Sequence, residues 1–393
     1  MDCREEALQL HKELKGKIEI VPKRPLRDQH DLSLLYTPGV AAPSLEINRD
    51  PDLVYEYTAK GNTVAIVTDG TAVLGLGDLG PLAALPVMEG KALLFNVFAE
   101  INAFPLCLAT SDPDEVVSTV QSIAPSFGGI NLEDIAAPAC FEIERRLKES
   151  LDIPVFHDDQ HGTAVVVAAG LVNALKLTGR RIGKTKVVIS GAGAAGVATA
   201  RLFLRLGVRH LLVCDRRGVV FPGRTAGMNP YKQEIAEQTN PAGSSGSLAD
   251  ALRGADVFVG LSRVGLVTRE MVRTMAPDPI VFALANPEPE ISRTDALAAG
   301  AAVVATGGSE CPNQINNVLA FPGIFRGALD VRATDINGEM KVAATAAISE
   351  LVGDDLSPEY IIPRALDRRV VEIVAGATAA AAVKSGINRS PRH

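Results

Sequence analysis

After residue 160, short apolar runs alternate with longer amphipathic segments. The runs predict buried strands, and the amphipathic segments predict helices, because helices repeat apolar positions every three or four residues. In chain order the pattern predicts a helix at 163–178, a strand at 186–190, a helix at 195–206, a strand at 210–215, a helix after Asn229, a helix in "SLADALRG", and strands in "ADVFVGLS", "PIVFALAN" and "AAVVATG". Such alternation predicts a doubly wound, Rossmann-like parallel sheet with helices on both faces.

The first 160 residues instead mix helices with shorter strands. Apolar runs at 63–69, 92–99 and 104–109 predict strands, and 114–127 predicts a helix. The expected fold class is therefore α/β, with a mixed α/β domain at 1–160 and a Rossmann-like domain at 161–393. The stretch "FHDDQHGTA" lies on this boundary, and clefts often form between domains.

Composition and charge exclude several classes of protein. The chain has 393 residues, 47% of them hydrophobic, and a formal net charge of −7. It therefore lacks the positive charge that attracts nucleic acid. We find neither an apolar stretch of the roughly 18–20 residues that span a membrane nor a signal peptide at the start. Five scattered cysteines without a CxxC pair indicate reduced thiols, so we expect a cytoplasmic protein without nucleic-acid or membrane partners.

The pattern GxGxxG, which is typical of dinucleotide-binding turns, occurs twice, at 75–80 and at 191–196. The turn needs a strand before it and a helix after it. Residues 81–90 contain Pro81, Pro86 and Gly90, so we expect no useful helix after the first copy. The second copy follows the strand at 186–190 and opens a proline-free helix, which makes it the predicted cofactor site.

In the second copy the predicted cofactor-binding residues are Gly191, Gly193, Ala194, Ala195 and Gly196. Their backbone N–H groups and the helix dipole would hold a pyrophosphate.

The next strand ends in Asp215, which would accept hydrogen bonds from the adenosine ribose. Asp215 favours NAD, because a carboxylate repels the 2′-phosphate of NADP. Arg216 and Arg217 follow at once and could neutralise that phosphate, so either cofactor is possible, with a leaning to NAD.

Two pairs of adjacent acids, Glu133–Asp134 and Asp158–Asp159, lie before predicted helices. Capping is one explanation, with Asn131 as the N-cap of the first helix. Zinc is another, because His157 and His161 are four residues apart. However, Gly162 suggests that the second helix begins only after the histidines.

Carboxylates without thiolates favour a hard divalent ion, Mg²⁺ or Mn²⁺. Beside a nicotinamide, such an ion could chelate a 2-hydroxy acid and polarise the resulting ketone.

An ordered set of motifs resembles the malic enzyme family in its short form. The resemblance runs from about Tyr36 to residue 345. It rests on "YTPGV", "TDGTAVLGLGDLG", "PVMEGKALLF", "NLEDI", "FHDDQHGTA", "GAGAAG", "ALANPEPE" and "NNVLAFPG".

The resemblance implies a catalytic N-terminal domain and a role for each matching residue. The metal ligands would be Glu133, Asp134 and Asp159, with Asp158 an acid near the metal and the base. Lys91 would be the general base and Tyr36 the general acid, Asn286 would lie near the substrate or nicotinamide, and Asn316 or Asn317 would touch the malate carboxylate.

The implied reaction is the divalent-metal-dependent oxidative decarboxylation of L-malate to pyruvate and CO₂ with NAD or NADP. The family resemblance also implies a homodimer in which the Tyr36 segment belongs to the partner chain. One position departs from the long family members, since Ala72 stands where they have an arginine for the substrate carboxylate. Lys91, between Gly90 and an apolar run, is expected to be partly buried with a lowered pKa.

Three alternatives stay open at this stage. The chain could be a lyase that retains NAD, a dehydrogenase of 2-hydroxy acids without decarboxylation, or a dinucleotide-sensing protein without activity.

Overall fold

The computed structural model describes residues 3–389, and the chain forms four helices before its first sheet. They are α1 (Cys3–Leu14), α2 (Gln29–Leu35), α3 (Ala41–Arg49) and α4 (Val54–Tyr57). Several large apolar side chains here are exposed, among them Ile20, Val21 and Tyr36, the last at 66%.

The first sheet has four parallel strands in the order β2-β1-β3-β4. Its elements are β1 (Thr63–Thr68), α5 (Pro81–Ala99), β2 (Asn102–Cys107), α6 (Pro113–Ile123), β3 (Gly129–Leu132), α7 (Ala139–Ser150) and β4 (Val155–His157). Strands β1 and β3 are buried along their whole length, which explains their nearly continuous apolar sequences. Both acid pairs follow directly at the carboxyl ends of β3 and β4.

Helix α5 corrects two expectations from the sequence. A helix does follow the first GxGxxG motif, and the predicted strand at 92–99 is its second half. Pro81 is at the start of the helix, where its missing N–H is no loss. Pro86 lies inside and removes one backbone hydrogen bond, which the remaining turns tolerate.

Helix α5 also corrects the expectation that no stretch could span a membrane. Its 19 residues are long and apolar enough for a crossing by length and composition. Its inner face, which includes Met88, Lys91 and Phe95, is buried in the chain. Its outer face exposes Leu82 and Val97, at 88% and 49%.

Helix α8 (Asp158–Leu177) joins the two sheets and is buried along most of its length. It begins at Asp158, so the expectation that helix starts only after Gly162 is wrong. Asn131 lies inside β3 and is not a helix N-cap. The following helix begins at Ala139, directly after Pro138.

The second sheet confirms the predicted alternation after residue 160. Its strands run in the order β10-β9-β8-β5-β6-β7, all parallel except β7. The elements are β5 (Lys186–Ser190), α9 (Ala194–Arg205), β6 (His210–Asp215), β7 (Gly218–Val219), α10 (Pro230–Thr239), α11 (Leu248–Leu252), β8 (Val257–Gly260), α12 (Arg269–Arg273), β9 (Ile280–Ala283), α13 (Arg293–Ala298) and β10 (Val303–Thr306). The strand order reverses between β5 and β8, the position where such sheets bind ligands.

Three further helices return the chain to the first sheet. They are α14 (Phe321–Asp330), α15 (Gly338–Glu350) and α16 (Arg369–Lys384). The ring centroids of Phe321 and Phe325 on α14 lie 4.8 and 5.3 Å from that of Phe95 on α5. Helix α14 therefore packs against the N-terminal part of the chain, and the division at residue 160 stays a prediction.

Candidate functional site

The carboxyl ends of both sheets open into one cavity of about 720 Å³. Many of the residues predicted for the site line it together: Lys91, Glu133, Asp134, Asp159, Ala195, Asn286, Asn316 and Asn317. Ala72 also lines it. The fold thus gathers side chains that are far apart in sequence at a single opening.

Three carboxylates form a cluster at this cavity. Glu133 and Asp134 follow β3, and Asp159 lies in the first turn of α8. One oxygen of each lies within 4.8 Å of the others. The backbone N–H of Asp134 donates to Asp159 Oδ2 at 2.7 Å, and the amide of Asn131 holds Glu133 Oε2 at 2.9 Å. Asp134 has a φ of 53°, a strained conformation typical of functional sites.

The three carboxylates of the cluster bring negative charges close together, and a divalent cation would balance them. Burial and the neighbouring carboxylates of Asp159 and Glu133 raise the pKa of Asp134 to about 8. Burial also raises the pKa of Glu133, although Lys91 opposes the shift. Asp134 Oδ2 is buried without a hydrogen-bond partner. Three converging carboxylates with a free oxygen suit Mg²⁺ or Mn²⁺.

Lys91 lies between two acids and is only 7% exposed. Its ammonium is 2.9 Å from Glu133 Oε1, pairs with Asp158, and lies 4.2 Å above the centroid of the Phe321 ring. Burial alone would lower the pKa of Lys91, but the charges of Asp158 and Glu133 outweigh it and raise that pKa. The expected burial is confirmed, whereas the expected lowering of the pKa of Lys91 is wrong.

Asp158 is fully buried and connects Lys91 to Asn317. The amide of Asn317 donates to Asp158 Oδ2, the oxygen that also binds Lys91. Burial raises the pKa of Asp158 to about 7, against the influence of Lys91. Gly162 lies one turn along α8, where a Cβ would be 1.8 Å from Asp158 Oδ1. The neighbouring Asn316 caps a short turn by accepting from the N–H of Val318.

The two histidines do not form a site with each other. His161 Nε2 donates to Glu144 at 2.9 Å, and Lys341 donates to His161 Nδ1 at 3.0 Å. His157 is fully buried, and neither ring nitrogen makes a hydrogen bond, although Nδ1 lies 3.8 Å from Asp159 Oδ2. Within residues 3–389, the potential metal-binding cluster contains only carboxylates, so the zinc interpretation gains no support.

The second GxGxxG turn has the geometry of a dinucleotide site. A Cβ on Gly191 would lie 2.3 Å from Leu261 O, and one on Gly196 would lie 1.8 Å from Gly191 O. Nothing lies within 4 Å of a Cβ at Gly193, where a pyrophosphate would approach. Helix α9 begins at Ala194 without a side-chain cap, so its first N–H groups are available to an anion.

A second cavity of about 760 Å³ adjoins this turn. Gly191, Gly193 and Asp215 line it, and Ser262 lines both cavities. Ser262 therefore marks the passage from the dinucleotide turn to the carboxylate cluster. Gly75 of the first GxGxxG motif lies in the site as well, since a Cβ there would be 3.0 Å from Asn286 O. That motif therefore shapes the 720 Å³ cavity.

Two site residues were not identified from the sequence. Glu290 is fully buried and accepts from the N–H groups of Ser262 and Ala285 at 2.9 and 3.0 Å. It thereby fixes the segment that carries Asn286. The sequence signal for this role is the position of Glu290 in the motif "ALANPEPE", which also contains Asn286. Lys17 lines the same cavity as Lys91 and donates to Pro86 O at 2.7 Å. Nothing in the sequence around Lys17 indicated that position.

Tyr36 is not among the described residues that line the cavity. It ends α2 and is 66% exposed. Its predicted role as general acid would therefore need the residue to reach the site of another chain.

Comparison with known proteins identifies the family. The family model "Malic enzyme, N-terminal domain" matches residues 15–148, and "Malic enzyme, NAD binding domain" matches residues 160–383.

Three curated relatives are among the most similar. The chain is 59% identical to a bifunctional malic/malolactic enzyme of Bacillus subtilis, over 99% of this chain and 95% of the relative. It is 56% identical to an NAD-dependent malic enzyme of Geobacillus stearothermophilus, over 95% and 78%. It is 50% identical to an NADP-dependent malic enzyme of Rhizobium meliloti, over 98% of this chain but only 53% of that longer relative.

Solved structures agree with these relatives. An NAD-dependent malic enzyme of Thermotoga maritima superposes with a TM-score of 0.92 at 50% identity, covering 95% of this chain and 98% of that one. A malic enzyme of Pyrococcus horikoshii gives 0.93 at 48% identity, covering 99% and 92%. The predicted resemblance and the α/β fold class are confirmed, and this chain belongs to the malic enzyme family.

Proposed function

We propose that this chain catalyses the oxidative decarboxylation of L-malate to pyruvate and CO₂ with reduction of NAD or NADP. One observation carries the proposal: Lys91 and three clustered carboxylates face the same cavity as Asn286 and Ala195, and Ala195 belongs to the second GxGxxG motif. That cavity offers a base, ligands for a cation and a route to a nicotinamide. Family membership supports the same reaction.

Glu133, Asp134 and Asp159 would hold Mg²⁺ or Mn²⁺. When bound, such an ion polarises the C2 oxygen of the substrate and stabilises negative charge that develops there. Asn131 and the strained backbone at Asp134 orient two of the ligands before the ion arrives.

Lys91 is the proposed base that takes the proton of the C2 hydroxyl as hydride leaves C2 for the nicotinamide. To act as a base it must be neutral, and the carboxylates of Asp158 and Glu133 keep its pKa high. Binding of Glu133 to a cation would remove one of them. Asp158, with a pKa raised to about 7, is placed to receive the proton from Lys91 and is held by Asn317.

Asn286 and the pair Asn316 and Asn317 are the proposed contacts for the substrate or nicotinamide. Ala72 lines the cavity without a charge, so it leaves the substrate carboxylate unpaired. Lys17 and Lys91 are the two cations among the described lining residues. We propose that Lys17 attracts that carboxylate.

Tyr36 is the proposed acid that protonates C3 after CO₂ leaves, and it would act in the partner subunit of a homodimer. Large apolar side chains are exposed along the N-terminal segment, including Ile20, Val21 and Tyr36, and this concentration of exposed apolar residues supports an interface there. We also propose a cytoplasmic location, since the described cysteines, at positions 107, 140, 214 and 311, are free thiols.

One assay tests the reaction. Malate, Mn²⁺ and either NAD or NADP should yield reduced cofactor and pyruvate in equal amounts, and EDTA should abolish both. Lactate without net reduced cofactor would instead indicate the lyase, which the Bacillus relative's name makes the main alternative. Reduced cofactor without pyruvate or CO₂ would indicate a plain dehydrogenase.

Two variants test the base. Lys91→Ala should reduce kcat by about two to four orders of magnitude, the usual contribution of a general base, while cofactor binding persists. Lys184→Ala removes an exposed lysine away from the site and should leave kcat unchanged. Near-normal turnover in Lys91→Ala would remove Lys91 from the scheme.

A mixing experiment tests the acid and the dimer together. Tyr36→Phe and Lys91→Ala should each be nearly inactive, but heterodimers would contain one site with neither change. Random exchange of subunits should therefore restore about a quarter of normal activity. Failure of a well-exchanged mixture to regain activity would show that Tyr36 does not act across the interface.

A further inference from the structure

The cavity at the adenosine end of the predicted cofactor site carries an excess of positive charge. Arg216, Arg217, Lys232 and Arg263 line it, and among its described lining residues Asp215 is the one carboxylate. A cavity with this balance attracts an additional negative group on the ligand. NAD and NADP differ there by one phosphate, on the 2′-oxygen of the adenosine ribose.

Asp215 has no hydrogen-bonding capacity left for a ribose. Its Oδ1 accepts from the N–H of Arg217 at 2.9 Å and from Arg224 Nη1 at 3.0 Å. Its Oδ2 accepts from Arg224 Nη2 at 2.5 Å and from Lys232 Nζ at 2.8 Å. A carboxylate offers about four lone-pair sites, and these four donors fill them.

The charge of Asp215 is also compensated. Burial would raise its pKa, but the hydrogen bonds from Arg224 and Lys232 lower it to about 2. The side chains of Asp215 and Arg224 are each 8% exposed. An aspartate rejects NADP through a free, ionised carboxylate facing the ribose. Here the carboxylate faces two cations, so that repulsion is largely cancelled.

The arrangement also fixes the cations at the cavity. Lys232 is held on α10 by Asp215 and by the carbonyl of Gly227, at 3.0 Å. Arg217 packs against the same glycine, where a Cβ would lie 2.9 Å from Arg217 Nε. The guanidinium and the ammonium are therefore placed before a ligand arrives, which lowers the entropic cost of binding an anion.

We propose that Arg216, Arg217 and Lys232 form a 2′-phosphate site, and that this chain prefers NADP to NAD. Asp215 then organises the cations and does not bind the ribose hydroxyls. The inference rests on the proposed function only in taking a nicotinamide dinucleotide as the cofactor.

Nucleotide fragments test this without the reaction. Adenosine 2′,5′-bisphosphate and 5′-AMP differ only by the 2′-phosphate, and calorimetry on the purified protein gives both Kd values. We expect the bisphosphate to bind about tenfold or more tightly, as charge-assisted contacts to a phosphate imply. Its affinity should also fall more steeply with salt.

Two variants locate the effect. Arg217→Ala and Lys232→Met should each reduce the bisphosphate's advantage severalfold while 5′-AMP binding stays within about twofold. Arg209→Ala is the matched control, because Arg209 is exposed before β6, at the end of the sheet away from the cavity. It removes one positive charge and should leave both Kd values unchanged.

Equal affinity for the two fragments, or an advantage unaltered in both variants, would overturn the proposal. Absence of binding by either fragment would overturn the dinucleotide site itself. Failure of the malate reaction with intact fragment binding would instead count only against the proposed function.

Discussion

Replacing Gly162 by alanine should damage the active site, although alanine is the better helix former. In an exposed helix this change stabilises by about 1 kcal/mol. Here the new Cβ would lie 1.8 Å from Asp158 Oδ1 and 3.3 Å from Asn317 Cβ. Normal carbon–oxygen contact is about 3.4 Å or more, so Asp158 must move by more than 1 Å. It is fully buried, and both Lys91 and Asn317 hold it.

The expected cost follows from those contacts. Losing one partner of a buried, charge-assisted pair costs about 3–5 kcal/mol of stability. The higher helix propensity of alanine offsets about 1 kcal/mol of that cost. We therefore expect a net loss of about 2–4 kcal/mol in the free energy of unfolding. A shift of about 1 Å at a catalytic group can lower kcat about a hundredfold.

Urea unfolding followed by circular dichroism measures the first quantity, and steady-state kinetics with malate measures the second. Gly376→Ala is the control, since Gly376 is exposed in α16 with nothing within 4 Å of its added Cβ. The Gly376→Ala protein should be slightly more stable than the original chain and fully active. If Gly162→Ala behaved like this control, the contact with Asp158 would not constrain the helix as described.

Further predictions concern the substrate, the cofactor segment and the metal. Lys17→Met should raise KM for malate severalfold with kcat little changed, whereas Lys12→Met, on exposed α1, should change neither; steady-state kinetics decides between them. Glu290→Gln should lower the free energy of unfolding by about 1–3 kcal/mol, because the new NH₂ group cannot accept the hydrogen bond of the backbone N–H that it faces. The same change should raise KM for the cofactor. Glu288→Gln changes an exposed residue, so denaturation and kinetic assays should show no change in stability or in KM for the cofactor. Because the pKa of Asp134 is raised from 3.8 to about 8, metal-free protein should lose stability as pH rises between those values. For the same reason Mn²⁺ should bind more tightly up to about pH 8 and release a proton at pH 7, as a pH-stat titration would record.

The sequence predicted best those features that neighbouring residues determine. Strand β5, the Gly191 turn and helix α9 form one continuous unit, so pattern and motif sufficed. The prolines of α5 argue against a helix, whereas the buried inner face around Phe95 stabilises one, so the sequence pattern does not predict this helix. Gly162 predicts a later start for α8, because glycine usually interrupts helices, whereas the fold needs a glycine there to accommodate Asp158.

The other features of the site depend on contacts between residues that are distant in sequence. The raised pKa of Lys91 depends on Glu133 and Asp158, which are distant in sequence and meet only at the sheet edge. The filled lone pairs of Asp215 depend on Arg224 and Lys232, which reach it from a loop and from α10. A motif names such residues but does not reveal their partners.

The ring of Phe321 over the Lys91 ammonium has a consequence for biosynthesis. A chain growing on the ribosome makes both sheets, the last strand of which ends at Thr306, before Phe321 is added. Until α14 is released and docks, the lysine and its acids have no aromatic cover. Assembly of the proposed proton-transfer site should therefore wait for α14, and a nascent intermediate should contain the dinucleotide turn before it contains the finished site.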